Sequence, residues 1–320
     1  MKITVYSVAS AEMPYFEKWI DEHDVDVELI HEPLSIDNLA KAEGSFGICV
    51  NQPGKLGDDD FYKTAHEMGI KVIGVRSAGV DFIDFAAAKK YDIAVTNVPI
   101  YSPRAIAEMG LTQALSLLRR IGEYQAEMAK GKFSLDPALL SNEIFNLTVG
   151  VIGMGNIGAE TARLYRALGA KVVAYNRSPK VELESIAEFK DLDDVIAESD
   201  ILSLHLPMTP QTANMIGAAQ LKAMKKNAIL INMGRGGLVD TAALIDALKQ
   251  GEIAGAGLDT ITNEELYFRK NTPEAQVQDD YKELVAMPNV IITPHVAFFT
   301  STAVKNMVHI GMNNILKQAK

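Results

Sequence analysis

Short apolar runs rich in Val, Ile and Leu alternate with stretches of helical period along the chain, and they do so in two series. The first comprises Ile3 to Tyr6, Val25 to Ile30, Phe46 to Val50, Val72 to Val75 and Ile93 to Thr96. The second begins at Leu147-Thr148-Val149-Gly150-Val151-Ile152 and continues through Val172 to Tyr175, Ile201 to Leu204, Ala228 to Asn232, Ala254 to Asp259 and Val290 to Thr293. Runs with so little polar interruption suit strands buried on both faces, and their alternation with helices builds βαβ units with parallel pairing. The pattern predicts an α/β fold with two parallel sheets, each covered by helices. At 320 residues the chain has length for two domains with separate cores.

Between the two series, Ser102 is placed to cap a helix and Pro103 to occupy its first turn. From Ala105 to Ile121 this helix is apolar on nearly every face (Ile106, Met109, Leu111, Ala114, Leu115, Leu117, Leu118). Such a helix needs more than one neighbour, either a second copy in a dimer or two domains of one chain. The charged stretch Asn263 to Lys282 reads as a surface excursion, and Asp191-Leu192-Asp193-Asp194 as a helix start. Trp19, with Phe16 and Ile20 at helical spacing, reads as core. A net charge of −10 gives no electrostatic reason to bind nucleic acid or an anionic membrane. The opening Met1 to Tyr6 is too short for a signal peptide and no run reaches membrane-span length, so a cytoplasmic protein is expected. Cys49 is the single cysteine, which excludes an internal disulfide, and within Gly47 to Val50 it reads as a packed strand residue. His23, His31, His66 and His309 lack ligand spacing, so no metal site is expected.

Gly153-Met154-Gly155-Asn156-Ile157-Gly158 follows the strand ending at Ile152 and opens a helix running to about Leu168. A bare GxGxxG is a weak signal, but strand, glycines, helix and second strand at these spacings form a dinucleotide-binding unit. One glycine makes the tight turn, one lets backbone approach the pyrophosphate, and one packs helix on strand. The second strand ends in Tyr175-Asn176-Arg177-Ser178, without the Asp or Glu that usually binds a ribose 2′-hydroxyl. Arg177 is suited to a 2′-phosphate, with neutral bonds from Asn176 and Ser178, so NADP(H) is favoured and NAD(H) is the alternative.

In open α/β sheets, ligands bind beyond the carboxyl ends of the strands. Three polar residues follow such ends: Arg235 in Asn232-Met233-Gly234-Arg235-Gly236-Gly237, Glu264 a few residues past Asp259, and His295 after Ile292-Thr293-Pro294. Their types suit reversible hydride transfer to a carbonyl beside a carboxylate. An Arg fork holds the carboxylate and polarises the carbonyl, His moves a proton near neutral pH, and a carboxylate orients the His and favours its charged form.

These stretches resemble the D-2-hydroxyacid dehydrogenase family, most of all its D-lactate and D-2-hydroxyisocaproate dehydrogenase branch. The likeness is carried by Val75 to Asp81, Asn97 to Pro103 with Ala105 to Glu108, the glycine turn, His205-Leu206-Pro207, Asn232 to Asp240 and Ile292 to Phe299. The resemblance implies two doubly wound parallel-sheet domains with a cleft between them. They are a flavodoxin-like substrate domain of residues 1–100 plus 299–320 and a Rossmann-type cofactor domain of 101–298. It implies that Arg235 binds the substrate carboxylate, that His295 is the acid/base and that Glu264 is its partner. His205 and Pro207 would line the adenosine side and Asp259 the nicotinamide side, with Met233 among the cofactor contacts. The Ala78 and Gly79 backbone would meet the carboxylate with Arg76 nearby, and Val50, Tyr101, Phe298 and Phe299 would surround the substrate side chain. A homodimer and a small 2-oxo or 2-hydroxy acid partner are implied. The aromatic lining suggests that phenylpyruvate or 2-oxoisocaproate fits as well as pyruvate. Other readings are a dinucleotide-sensing corepressor-like protein, a glyoxylate or hydroxypyruvate reductase, and 3-phosphoglycerate oxidation. The last is disfavoured because neither a regulatory domain nor a basic cluster is present.

Overall fold

The structure is a computed structural model and describes residues 1–52, 54–178, 180–266, 268 and 271–319. The chain divides into two compact units, residues 1–102 with 299–320, and residues 103–298. In the first unit, β1 (Lys2–Val5), β2 (Asp26–Leu29), β3 (Gly47–Val50), β4 (Val72–Val75) and β5 (Ala94–Thr96) form a parallel sheet in the order β2-β1-β3-β4-β5. Every residue of β3 and β4 is buried, as expected when helices cover both faces. Alternate side chains feed two cores. Ile48, Val50, Ile73 and Val75 join Phe61 and Tyr62 on one face, while Cys49 and Val72 join Phe16, Trp19 and Ile315 on the other. The last of these comes from the C-terminal helix α11 (Ser301–Lys317), which returns to complete the first unit.

The second unit holds seven parallel strands: β6 (Thr148–Ile152), β7 (Lys171–Tyr175), β8 (Glu188–Phe189), β9 (Ile201–Leu204), β10 (Ile229–Asn232), β11 (Gly255–Leu258) and β12 (Val290–Ile292). Their order is β12-β11-β10-β9-β6-β7-β8, so the chain winds outward from β6 in one direction and then, from β9, in the other. The registry of this sheet places the chemistry. Tyr175, Ile152, Leu204, Asn232, Leu258 and Ile292 are successive ladder partners, so six strands finish on one straight row.

Two elements depart from the expected pattern. The helix read as continuous to Ile121 is α4 (Pro103–Leu118), broken by Arg120 in the left-handed region (φ 52°) and followed by α5 (Ile121–Ala129). Ala105, Ile106, Ala107, Gly110, Gln113, Ala114 and Leu117 of α4 are buried, and α4 packs on α6 (Asn156–Ala167), β10 and β11. Strand β8 has two residues and no apolar run to announce it. The stretch Asn263 to Lys282 is partly ordered, with short 3-10 turns at Glu264–Leu266 and Glu274–Gln276 and the start of α10 (Asp279–Ala286); residues 267, 269 and 270 lie outside the described ones. Asp191 stands at the N-cap of α7 (Leu192–Glu198) and Trp19 is fully buried, both as the sequence suggests.

Candidate active site

The glycine turn leaves β6 at Gly153, whose φ of 95° is open to glycine and strained for other residues. A Cβ on Gly153 would lie 2.8 Å from the His205 carbonyl oxygen, and a Cβ on Gly158 would fall on the Gly153 carbonyl. These two glycines let α6 start against the strand ends. Gly155 differs, since a Cβ there would meet nothing within 4 Å. The N–H groups of Gly155, Asn156 and Ile157, at the start of α6, donate to no acceptor among the described residues. Open space beside a helix N-terminus with unspent N–H groups fits a pyrophosphate. The Met154 N–H is spent within the protein on Asn176 Oδ1 at 2.9 Å, and Asn176 Nδ2 donates to the Ser178 carbonyl at 2.8 Å. Asn176 thus fastens the turn to the end of β7, while Arg177 and Ser178 are exposed.

His205 follows β9, and its Nε2 lies 2.9 Å from Ser203 Oγ. Burial pushes its pKa down to about 3, which keeps the ring neutral. Pro207 is exposed, whereas Met154 and Met233 are buried.

Beyond β10, the Asn232 side chain shapes the turn. Its Oδ1 accepts the Gly234 N–H at 3.0 Å and its Nδ2 donates to the Arg235 carbonyl at 2.9 Å. Arg235 is half-buried, with Nη1 donating to the Gly234 carbonyl at 3.0 Å. A Cβ on Gly236 would fall on the Ile261 backbone, so the Arg235 loop lies directly against the loop that follows β11. There the Ile261 N–H donates to Glu264 Oε2 at 3.1 Å, and Glu264 Oε1 lies 2.5 Å from His295 Nδ1. Both side chains are half-buried. A carboxylate so close to Nδ1 fixes the ring and leaves Nε2 as the working nitrogen.

Asp259 builds the turn that carries His295. Its carboxylate accepts the Thr293 hydroxyl at 2.6 Å and the Val296 and Ala297 N–H groups at 3.0 Å each, and its carbonyl accepts the His295 N–H at 2.9 Å. This grip holds His295 at φ 55°, a strained value for a residue with a side chain. Gln113 of α4 extends the network through Nε2 to Thr293 Oγ1 at 2.9 Å. Sequence reading missed Asn232, Thr293 and Gln113; the signal at the first two was a polar residue ending a strand just before a functional one.

Two expected substrate contacts are corrected by their placement. Arg76 is fully buried, its Nε and Nη2 each 3.1 Å from a Glu12 oxygen, with further bonds of 3.2 Å to the Tyr6 and Ser7 carbonyls. No donor of that guanidinium is left for a ligand. Val50 is fully buried in the core of the first unit, because its place on β3 turns it to the interior face. By contrast Ala78 and Phe299 are exposed, and Gly79, Tyr101 and Phe298 are half-buried. Among the described residues no group of three His, Cys, Asp or Glu side chains could hold a metal, and no helix is long and apolar enough to cross a membrane.

Residues 111–297 match the family model described as D-isomer specific 2-hydroxyacid dehydrogenase, NAD binding domain. The chain is 40% identical over 323 residues to a D-2-hydroxyacid dehydrogenase (NAD(+)) of Clostridioides difficile, covering 100% of this chain and 97% of that protein. It is 40% identical over 318 residues to a D-lactate dehydrogenase of Lactiplantibacillus plantarum, covering 98% and 95% respectively. Among solved structures, it superposes on the D-lactate dehydrogenase with NAD+ from Lactobacillus jensenii with a TM-score of 0.92 at 48% identity, over 99% of this chain and 96% of that one.

Proposed function

Because the chain belongs to the D-isomer specific 2-hydroxyacid dehydrogenase family, we propose that it interconverts a small 2-oxo acid and its D-2-hydroxy acid with a nicotinamide dinucleotide. The observation that carries this reading is the 2.5 Å pair of His295 and Glu264, joined through the Ile261 loop to Arg235, on the same row of strand ends as the glycine turn. The dinucleotide supplies or accepts the hydride when bound. His295 Nε2 gives a proton to the oxygen as the carbonyl is reduced and takes it back in the reverse direction. Glu264 holds the ring in place, and Arg235 binds the acid's carboxylate and polarises its carbonyl. Asp259 acts by shaping the His295 turn. In this reading the second unit binds the cofactor.

The dinucleotide is NAD(H). Two of the relatives carry NAD+ in their names, and Asn176, which stands where a carboxylate is usual, is engaged in the glycine turn. The NADP(H) preference drawn from the missing carboxylate is therefore not retained. The protein is a cytoplasmic homodimer in this reading, with the exposed apolar segment after α4 as the shared surface.

The test follows nicotinamide absorbance with NADH or NADPH and a panel of pyruvate, phenylpyruvate, 2-oxoisocaproate, glyoxylate and hydroxypyruvate. NADH with at least one 2-oxo acid is expected to turn over, and His295→Ala to lower kcat by at least about a hundredfold while NADH still binds. No turnover with any acid would overturn the reading. Faster use of NADPH would return the cofactor choice to Arg177.

A further inference from the structure

Just beyond β4, three successive carbonyls are pinned toward the body of the first unit. Ser77 O accepts the Val98 N–H at 3.0 Å, Ala78 O accepts Asn97 Nδ2 at 3.0 Å, and Gly79 O accepts the Ser77 hydroxyl at 2.8 Å. In a planar trans peptide the carbonyl and the N–H of one plane point in opposite directions. Pinning those oxygens therefore turns the N–H groups of Ala78, Gly79 and Val80 away from their partners. None of the three N–H groups donates to an acceptor among the described residues, and all three residues are reached by solvent. Consecutive unspent amides aimed outward form a site for an anion.

Of the three pins, one is a neighbouring hydroxyl and one is backbone; only Asn97 is a side chain reaching in from another element. It stands just past β5, and its own carbonyl accepts Asn314 Nδ2 of α11 at 2.9 Å. We propose that Asn97, anchored by Asn314, is a positioning residue that aims the Ala78, Gly79 and Val80 amides at the carboxylate of the 2-oxo acid. This rests on the activity proposed above. Asn97 itself does not touch the substrate; removing its side chain frees the Ala78–Gly79 peptide plane to rotate, and the central amide of the three loses its aim.

The test uses the full-length protein with NADH and oxamate, an unreactive analogue with the same carboxylate. In wild type, oxamate is expected to shift the ¹H–¹⁵N resonances of Ala78, Gly79 and Val80. In Asn97→Ala those shifts shrink, and the KM for the 2-oxo acid and the Ki of oxamate rise about tenfold, with kcat falling less and the NADH Kd unchanged, as for loss of one charge-assisted bond. A structural role alone would lower the melting temperature and leave KM and Ki in place. If Asn97→Ala does not fold, Asn314→Ala reads the same quantities with a smaller rise. Unchanged KM and Ki in a folded variant, or wild-type amides that ignore saturating oxamate, overturn the inference while leaving the activity intact. Amides that move with oxamate in a protein that reduces no 2-oxo acid would do the reverse, sustaining the anion site and defeating the activity.

Discussion

Arg76 and Arg235 each follow a strand end and share the neighbourhood of small residues that marks a ligand loop, yet they serve different ends. Arg76 is locked to Glu12, 64 positions away in the chain, with the Phe16 ring 5.2 Å from its guanidinium carbon. No local pattern around Val75-Arg76-Ser77 reveals a partner that distant, and only the family resemblance placed it near the substrate. Its burial makes a clear prediction. Glu12→Gln leaves the guanidinium charge uncompensated in the interior and is expected to cost about 3 kcal/mol of stability, seen as a lower urea midpoint with little change in the KM for the acid. An unchanged midpoint would mean that the pair is not holding the first unit together. The pairing of His295 with Glu264 was legible from residue chemistry, but the left-handed backbone that presents His295 was not, since it follows from Asp259 gripping the turn from a neighbouring strand.

Among elements, strands buried on both faces were the most readable, because their apolar runs are continuous; Val72–Val75 and Ile201–Leu204 occupy the positions the pattern marks. The least readable were those whose cause lies outside the segment. Strand β8 exists because it finds an edge of β7, and the break at Arg120 carries neither glycine nor proline to signal it. The glycine turn allows a prediction at this level, as its glycines serve separate ends. Gly158→Ala drives a methyl into the Gly153 carbonyl and is expected to lower the melting temperature by several degrees, whereas Gly155→Ala enters open space and should leave melting unchanged. Calorimetry in each direction of the pair checks this: Gly155→Ala should bind NADH at least about tenfold more weakly, because its methyl takes the room of the pyrophosphate. Equal NADH affinity in Gly155→Ala and wild type would remove the phosphate from that place.

For the molecule as a whole, the informative surface is the segment after α4. Ile121, Met128, Phe133, Leu135, Leu140 and Phe145 all stand exposed, Leu135 at 92% and Leu140 at 83%. So many exposed apolar side chains in one segment suit the shared surface of the homodimer proposed above. A pattern apolar on every face does not distinguish a partner subunit from the helix's own sheet, and the inner side of α4 meets α6, β10 and β11. Joint Phe133→Glu and Leu135→Glu substitution is expected to convert a dimer of 34.8 kDa chains into monomer in sedimentation velocity; a variant that sediments like wild type would move the interface elsewhere. The even row on which six strands stop has a consequence for how such a protein diversifies. Glu264 is moored to Ile261 and His295 to Asp259, each within a few positions of that row, so neither depends on the length of chain between them. Residues inserted among the exposed positions 273–276 would leave Glu264 and His295 at the same separation, and this turn is where new selectivity is open to trial.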